Sequence, residues 1–166
     1  MKKSIYIVFL LSFLLNVSCT TNTCTQTKYV KLTADFYHVH YNDTTYTISA
    51  LSIDSLTIQG LKIDSLTGQY HLVDSILYNN QKSVNTIDLP LNNNSTQSKF
   101  KLKFDAILDT MTIYHTNLND FLSLECGCIK THSIDTVITT NHFIDSVRII
   151  IHDVNTINAE NIRLYK

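Results

Sequence analysis

A four-residue pattern, an apolar residue, then Asp, then Ser or Thr, then an apolar residue, occurs six times in this chain. It stands at Ile53-Asp54-Ser55-Leu56, Ile63-Asp64-Ser65-Leu66 and Val73-Asp74-Ser75-Ile76, three copies at ten-residue spacing. It returns at Leu108-Asp109-Thr110-Met111, Ile134-Asp135-Thr136-Val137 and Ile144-Asp145-Ser146-Val147. The second residue after each Asp is apolar, and the fourth is apolar at Ile58, Tyr78, Ile113 and Ile149. A period of two marks a half-buried strand, because successive side chains leave a strand on opposite faces. Each Asp is read as a strand-start residue whose carboxylate bonds nearby backbone N–H groups in a turn.

The rest of the chain agrees with a β-fold. Val30, Leu32, Ala34 and Phe36 alternate with polar residues, and Tyr46 and Ile48 suggest a weaker second strand. Ile87, Leu89 and Leu91 alternate around Pro90, which donates no ladder hydrogen bond and so marks an edge or an end. Phe100, Leu102 and Phe104 alternate with Lys99, Lys101 and Lys103, the cleanest amphipathic run in the chain. Further strands are expected at residues 111–115 and 122–128, after Asp135, after Asp145, and at Ile162 and Leu164. No window holds a sustained 3.6-residue period. About eight to ten short strands point to an all-β, antiparallel β-sandwich, immunoglobulin-like in style. A β-solenoid is the alternative raised by the ten-residue spacing, but the period lapses after Asp74. With three Gly and one Pro in 166 residues, turns fall to Asn, Asp and Ser.

Residues 1–18 read as a signal peptide: Lys2-Lys3, then an apolar run over residues 5–15, too short to span a bilayer. Val17-Ser18-Cys19 then resembles a bacterial lipobox, so cleavage before Cys19 would leave a lipidated cysteine. Residues 19–27 form the polar tether and 28–166 a single sandwich domain. The membrane is thereby an expected partner, through lipid on Cys19. Residues 20–23 lack an acidic cluster of the kind that marks surface export, so the expected place is the outer membrane, facing the periplasm. Loss of Lys2 and Lys3 moves the net charge from −1 to about −3. No basic stripe is present, which argues against nucleic acid.

An ordered set of segments is similar to a lipoprotein family of Bacteroidota, domain of unknown function 6452. The segments begin with Asp54-Ser55-Leu56-Thr57-Ile58-Gln59-Gly60, Asp74-Ser75-Ile76-Leu77-Tyr78-Asn79 and Leu89-Pro90-Leu91-Asn92. They continue with Glu125-Cys126-Gly127, Phe143-Ile144-Asp145-Ser146-Val147 and Glu160-Asn161-Ile162. Residues 61–72 resemble an insertion, and Cys128 stands where an aromatic is more usual. The resemblance implies an envelope lipoprotein and no particular activity.

With Cys19 lipidated, Cys24, Cys126 and Cys128 remain, in a compartment that permits disulfides. The Cys-Gly pair shared with the family favours a Cys24–Cys126 bridge over Cys24–Cys128, with all three thiols free as the remaining option. Cys126 and Cys128 are placed on one strand face with Leu122 and Leu124, which would bury them. The functional alternative is a metal or redox site using Cys126 and Cys128. His38 and His40 share a strand face, a spacing that can hold a metal, but no third ligand is adjacent. Calcium would need the repeated Asp residues to converge, whereas consecutive antiparallel strands start at opposite ends of a sheet. No catalytic signature is present, so a non-enzyme without a cofactor is expected. The reading is a lipid-anchored structural or binding module, and the sequence does not identify a protein or glycan partner. The alternative is an envelope hydrolase or metalloprotein using His38 and His40 or the Cys126/Cys128 pair.

Overall fold

The structure, a computed structural model, describes Cys24, residues 28–63 and residues 67–166. The expected signal peptide, Cys19, the rest of the expected tether and the copy of the repeat at Asp64 lie outside the described residues. Eleven strands follow in order. They are β1 (Leu32–Asn42), β2 (Thr45–Ala50), β3 (Leu56–Ile63), β4 (Tyr70–Gln81), β5 (Thr86–Leu89) and β6 (Gln97–Phe104), then β7 (Ile107–Ser123), β8 (Gly127–Thr139), β9 (Ser146–Ile149), β10 (Asp153–Val154) and β11 (Glu160–Tyr165). One sheet runs β2-β1-β11-β9, with β5 also paired to β1; the other runs β10-β8-β7-β6-β3-β4. All strand pairs among the described residues are antiparallel except β1 with β11. The architecture is the expected β-sandwich, with eleven strands in place of eight to ten. Several are long: where separate strands were expected at residues 111–115 and 122–128, one strand of 17 residues runs over 107–123.

The core lies between the two sheets, where each sheet buries one face. Leu32, Ala34 and Phe36 of β1, Ile87 and Leu89 of β5, and Ile162 and Leu164 of β11 are all buried. Leu56 and Ile58 of β3, Phe100, Leu102 and Phe104 of β6, and Met111 and Ile113 of β7 are buried in the same cluster. Phe36 meets Phe104 edge to face across the gap, with ring centroids 5.9 Å apart. The β6 alternation is as expected: Phe100, Leu102 and Phe104 are buried, Lys103 is exposed, and Lys99 and Lys101 are half-buried. Pro90 follows the last residue of β5, where a missing N–H costs no ladder bond. Leu102→Ala is expected to cost about 2–5 kcal/mol, because Leu102 is fully buried and a cavity would remain. Lys101→Ala should stay within about 0.5 kcal/mol. Urea titration of both variants checks the pair.

The strand-start reading of the repeated Asp needs correction. Asp54 and Asp145 do stand just before β3 and β9. Asp74 and Asp135 lie inside β4 and β8. Asp135 is exposed because the β7–β8 register shifts there: Tyr114 pairs with Thr136 but His115 with Ile134. One extra residue is thereby bulged out, and the side-chain alternation changes phase. Asp109 is fully buried. It shares the inward stripe of β7 with Met111, Ile113 and His115, as the period of two requires. Its carboxylate bonds a distant segment, not a nearby turn. It accepts the Thr140 hydroxyl at 2.6 Å and the backbone N–H groups of His142, Phe143 and Ile144 at 2.8–2.9 Å.

Candidate functional site

His38 and His40 do share a face of β1, with ring centroids 4.1 Å apart. His40 Nε2 lies 3.2 Å from Ser49 Oγ on β2. No group of three His, Cys, Asp or Glu side chains suited to a metal forms among the described residues. The pair therefore has two ligands and no third.

Cys24 and Cys126 form a disulfide, with Cα atoms 4.8 Å apart. Cys128 is a free thiol and is exposed. Its expected burial fails because residues 124–126 form the turn between β7 and β8. Leu124 is consequently 90% exposed. Gly127 has φ +72°, which a side chain would strain, so the Cys-Gly pair marks a turn. Bonded to Cys24, Cys126 has no thiolate to offer beside Cys128, and no Cys126/Cys128 metal or dithiol site exists in this form.

The structure assembles a different group of residues. A cleft of about 330 Å³ is bordered by β3, β4, β6 and the connection from β5 to β6. Gly60, Val73, Leu77 and Phe100 contribute apolar surface, and Asn92 and Lys99 polar groups. Lys99 Nζ stands 3.8 Å over the Tyr70 ring, a cation–π contact at the same cleft.

Ser98, which also lines the cleft, links it to a buried polar network. Asn117 determines how that network is wired. Its Nδ2 donates to the carbonyls of Asn92, Asn93 and Ser95, at 3.3, 3.1 and 2.9 Å. Its Oδ1 therefore faces the Nδ1 atoms of His115 (3.0 Å) and His132 (2.7 Å). Oδ1 only accepts, so both rings must carry a proton on Nδ1. His115 Nε2 is then left as an acceptor, and the Ser98 hydroxyl donates to it at 2.9 Å. Ser98 Oγ in turn accepts the Asn92 N–H at 2.8 Å. One amide thus orients two imidazoles and pins the loop over residues 92–95, which forms a wall of the cleft.

His115 and His132 are both buried. Burial pushes the His115 imidazole below its ordinary range, partly offset by the Asn117 hydrogen bond. Burial, with repulsion from His115 and Lys130, pushes His132 down to about 4. An unfolded His132 would titrate near 6.5, so between those values the unfolded chain binds the extra proton and the folded chain does not. Stability should therefore be full above about pH 6.5 and fall as pH drops towards 4, by about 2–4 kcal/mol. Urea melts at pH 7 and pH 4.5 measure the loss, and His132→Gln should make it markedly smaller.

In the sequence, His115 and His132 are two of seven scattered histidines, and Asn92-Asn93-Asn94-Ser95 has only the composition of a loop. One signal was present: His115 continues the inward stripe of Met111 and Ile113. Ser98 likewise stands in phase with Phe100 and Leu102, and Asn117 with His115, but nothing local marks them as partners. Among known proteins, the model of a family of unknown function (DUF6452) matches residues 65–166. That span holds Ser98, His115, Asn117, His132 and most of the cleft; Cys24, His38 and His40 lie before it. No curated protein and no solved structure matches the chain.

Proposed function

The chain belongs to that family of unknown function, and from its cleft we propose that it is an envelope lipoprotein whose sandwich binds a small ligand. The cleft carries the reading: a concave, partly apolar site with a few convergent polar groups is the ordinary form of a small-molecule site. Leu61, Val73, Leu77 and Phe100 suit an apolar body, while Lys62 and Lys99 suit an anionic or hydrogen-bonding end. Anchoring through Cys19, of the kind found in Bacteroidota lipoproteins, would place the site at the outer membrane on the periplasmic side. The lipobox-like Val17-Ser18-Cys19 supports that part.

Two measurements test the reading. Ser75 is exposed and lines the cleft, so Ser75→Trp should plug it without disturbing the core. Native mass spectrometry of protein exposed to envelope metabolites should show a retained small molecule that Ser75→Trp loses. Equal retention by the variant would remove the cleft from the reading. Cys19→Ala should release the protein from membranes, and an unmodified N-terminus in the mature protein would end the anchoring proposal.

A second reading rests on the order Ser98, His115, Asn117. This is the arrangement of a nucleophile, a base and the group that orients the base, and it would make the protein an envelope hydrolase. Ser98 is buried and its oxygen already holds the Asn92 N–H, which favours a pinning role. Labelling of Ser98 by a fluorophosphonate probe, lost in Ser98→Ala, would reverse that preference. Stoichiometric zinc or copper after purification without chelator would favour a metal-binding reading instead.

A further inference from the structure

The turn between β7 and β8 carries Leu124, at 90% the most exposed large apolar side chain among the described residues. Phe121, three residues earlier, is 63% exposed. Apolar side chains scattered singly over a surface require no explanation. Here a second observation says what covers them. The same turn holds Cys126, and Cys126 is bonded to Cys24. Cys24 lies five residues after Cys19, the proposed site of lipidation. Five residues of chain reach at most ~18 Å when fully extended. The bridge adds 4.8 Å between Cα atoms, and Leu124 stands two residues from Cys126. The hairpin tip is thus the part of the domain tied most closely to the lipid.

We propose that this tip, through Phe121 and Leu124, docks into the headgroup region of the membrane that carries the lipid on Cys19. The inference rests on the lipoprotein reading and adds an orientation to it: β7 and β8 rise from the bilayer and lift the sandwich above it. β7 has 17 residues, which at ~3.3 Å per residue span roughly 55 Å, so its first residue, Ile107, is far from the surface. The charges near the tip are mixed. Lys130 shares the Phe121 face, since Asn119 pairs with Lys130 and Phe121 with Cys128. Glu125 is exposed in the turn, and Asp120 accepts the Thr131 hydroxyl. With both signs present, docking is driven by apolar burial and depends little on salt.

The chain contains no Trp, so a single introduced indole reports its own surroundings. Lipidated full-length Leu124→Trp protein would be reconstituted in phosphatidylcholine vesicles with brominated acyl chains, beside an Ile107→Trp control. Mass spectrometry of Cys19 and flotation with the vesicles would be measured on the same samples. The tip indole should emit at shorter wavelength and lose most of its emission to bromine, while the control keeps its emission. Cys24→Ser should float equally but show weaker quenching at the tip, and unchanged quenching would overturn the part given to the bridge. Lipidated, floating protein whose tip indole behaves like the control would overturn the docking and leave the lipoprotein reading standing. A short-wavelength emission that bromine does not quench would mean that protein, such as a second copy of this chain, covers the tip, and would also overturn it. Protein that neither carries lipid nor floats would remove the lipoprotein reading and the docking with it.

Discussion

Asp109→Ala is expected to destabilise the protein by about 3–5 kcal/mol, because it would empty a buried site and strip the partner from four donors at once, one buried and three part-buried. The Thr140 hydroxyl and the N–H groups of His142, Phe143 and Ile144 all end on this carboxylate. Ile144 sits in the core, so the segment between β8 and β9 cannot swing out to water without exposing it. Asp109→Asn should recover little, since its amide would turn one NH2 towards donors that need an acceptor. The same bonds set a pH window. Burial alone would push the Asp109 carboxyl up, but the Thr140 and backbone hydrogen bonds outweigh it and lower it from 3.8 to about 2. A group lowered in the folded state contributes stability above its unfolded value and loses it as pH falls through the folded one. The Asp109 contribution should therefore be intact above about pH 4 and gone near pH 2, below the window in which His132 acts. Urea denaturation of wild type, Asp109→Ala and Asp109→Asn at pH 7 and pH 3 measures both effects. A cost below about 1 kcal/mol at pH 7 would show that the segment finds other partners.

Removing the Cys24–Cys126 bridge is the second large effect. The bond joins residues 102 apart, and in the chain-entropy account closing a loop of that size contributes about 4–5 kcal/mol. Cys126→Ser, or reduction of the wild type, should lower the urea midpoint while leaving the β-sheet circular dichroism signal in place. Cys126 is buried in a turn that Gly127 closes, so a serine hydroxyl there needs a new partner and adds to the cost. Cys128→Ser should change stability little, because its thiol is exposed. Alkylation before and after reduction gives the thiol count. Three reactive thiols in the mature protein before reduction would remove the bridge.

Alternation alone determined which strands bury which faces. The pattern in Phe100-Lys101-Leu102-Lys103-Phe104 was legible because a strand's side-chain period is local, two residues and one bond geometry, whereas in β1 Thr33 is buried along with Leu32, Ala34 and Phe36. The sandwich follows from many such amphipathic strands with polar turns. Features depending on contacts distant in the chain were not legible. Asp109 looked like the other repeated Asp residues, yet only the packing of residues 140–144 beside β7 made it a buried acceptor. The bulge that exposed Asp135 depends on the register between β7 and β8, which no single strand encodes. Ser98, His115, Asn117 and His132 come from three strands, and one amide with its two ends turned opposite ways makes them a network. By itself, then, the sequence determined the β class, the inward faces and the lipobox-like start, all read from neighbours within a few residues. The tertiary structure decided where the cleft opens, which carboxylate is buried and which tip Cys24 is bonded to, because hydrogen bonds and a disulfide there join residues that lie far apart along the chain.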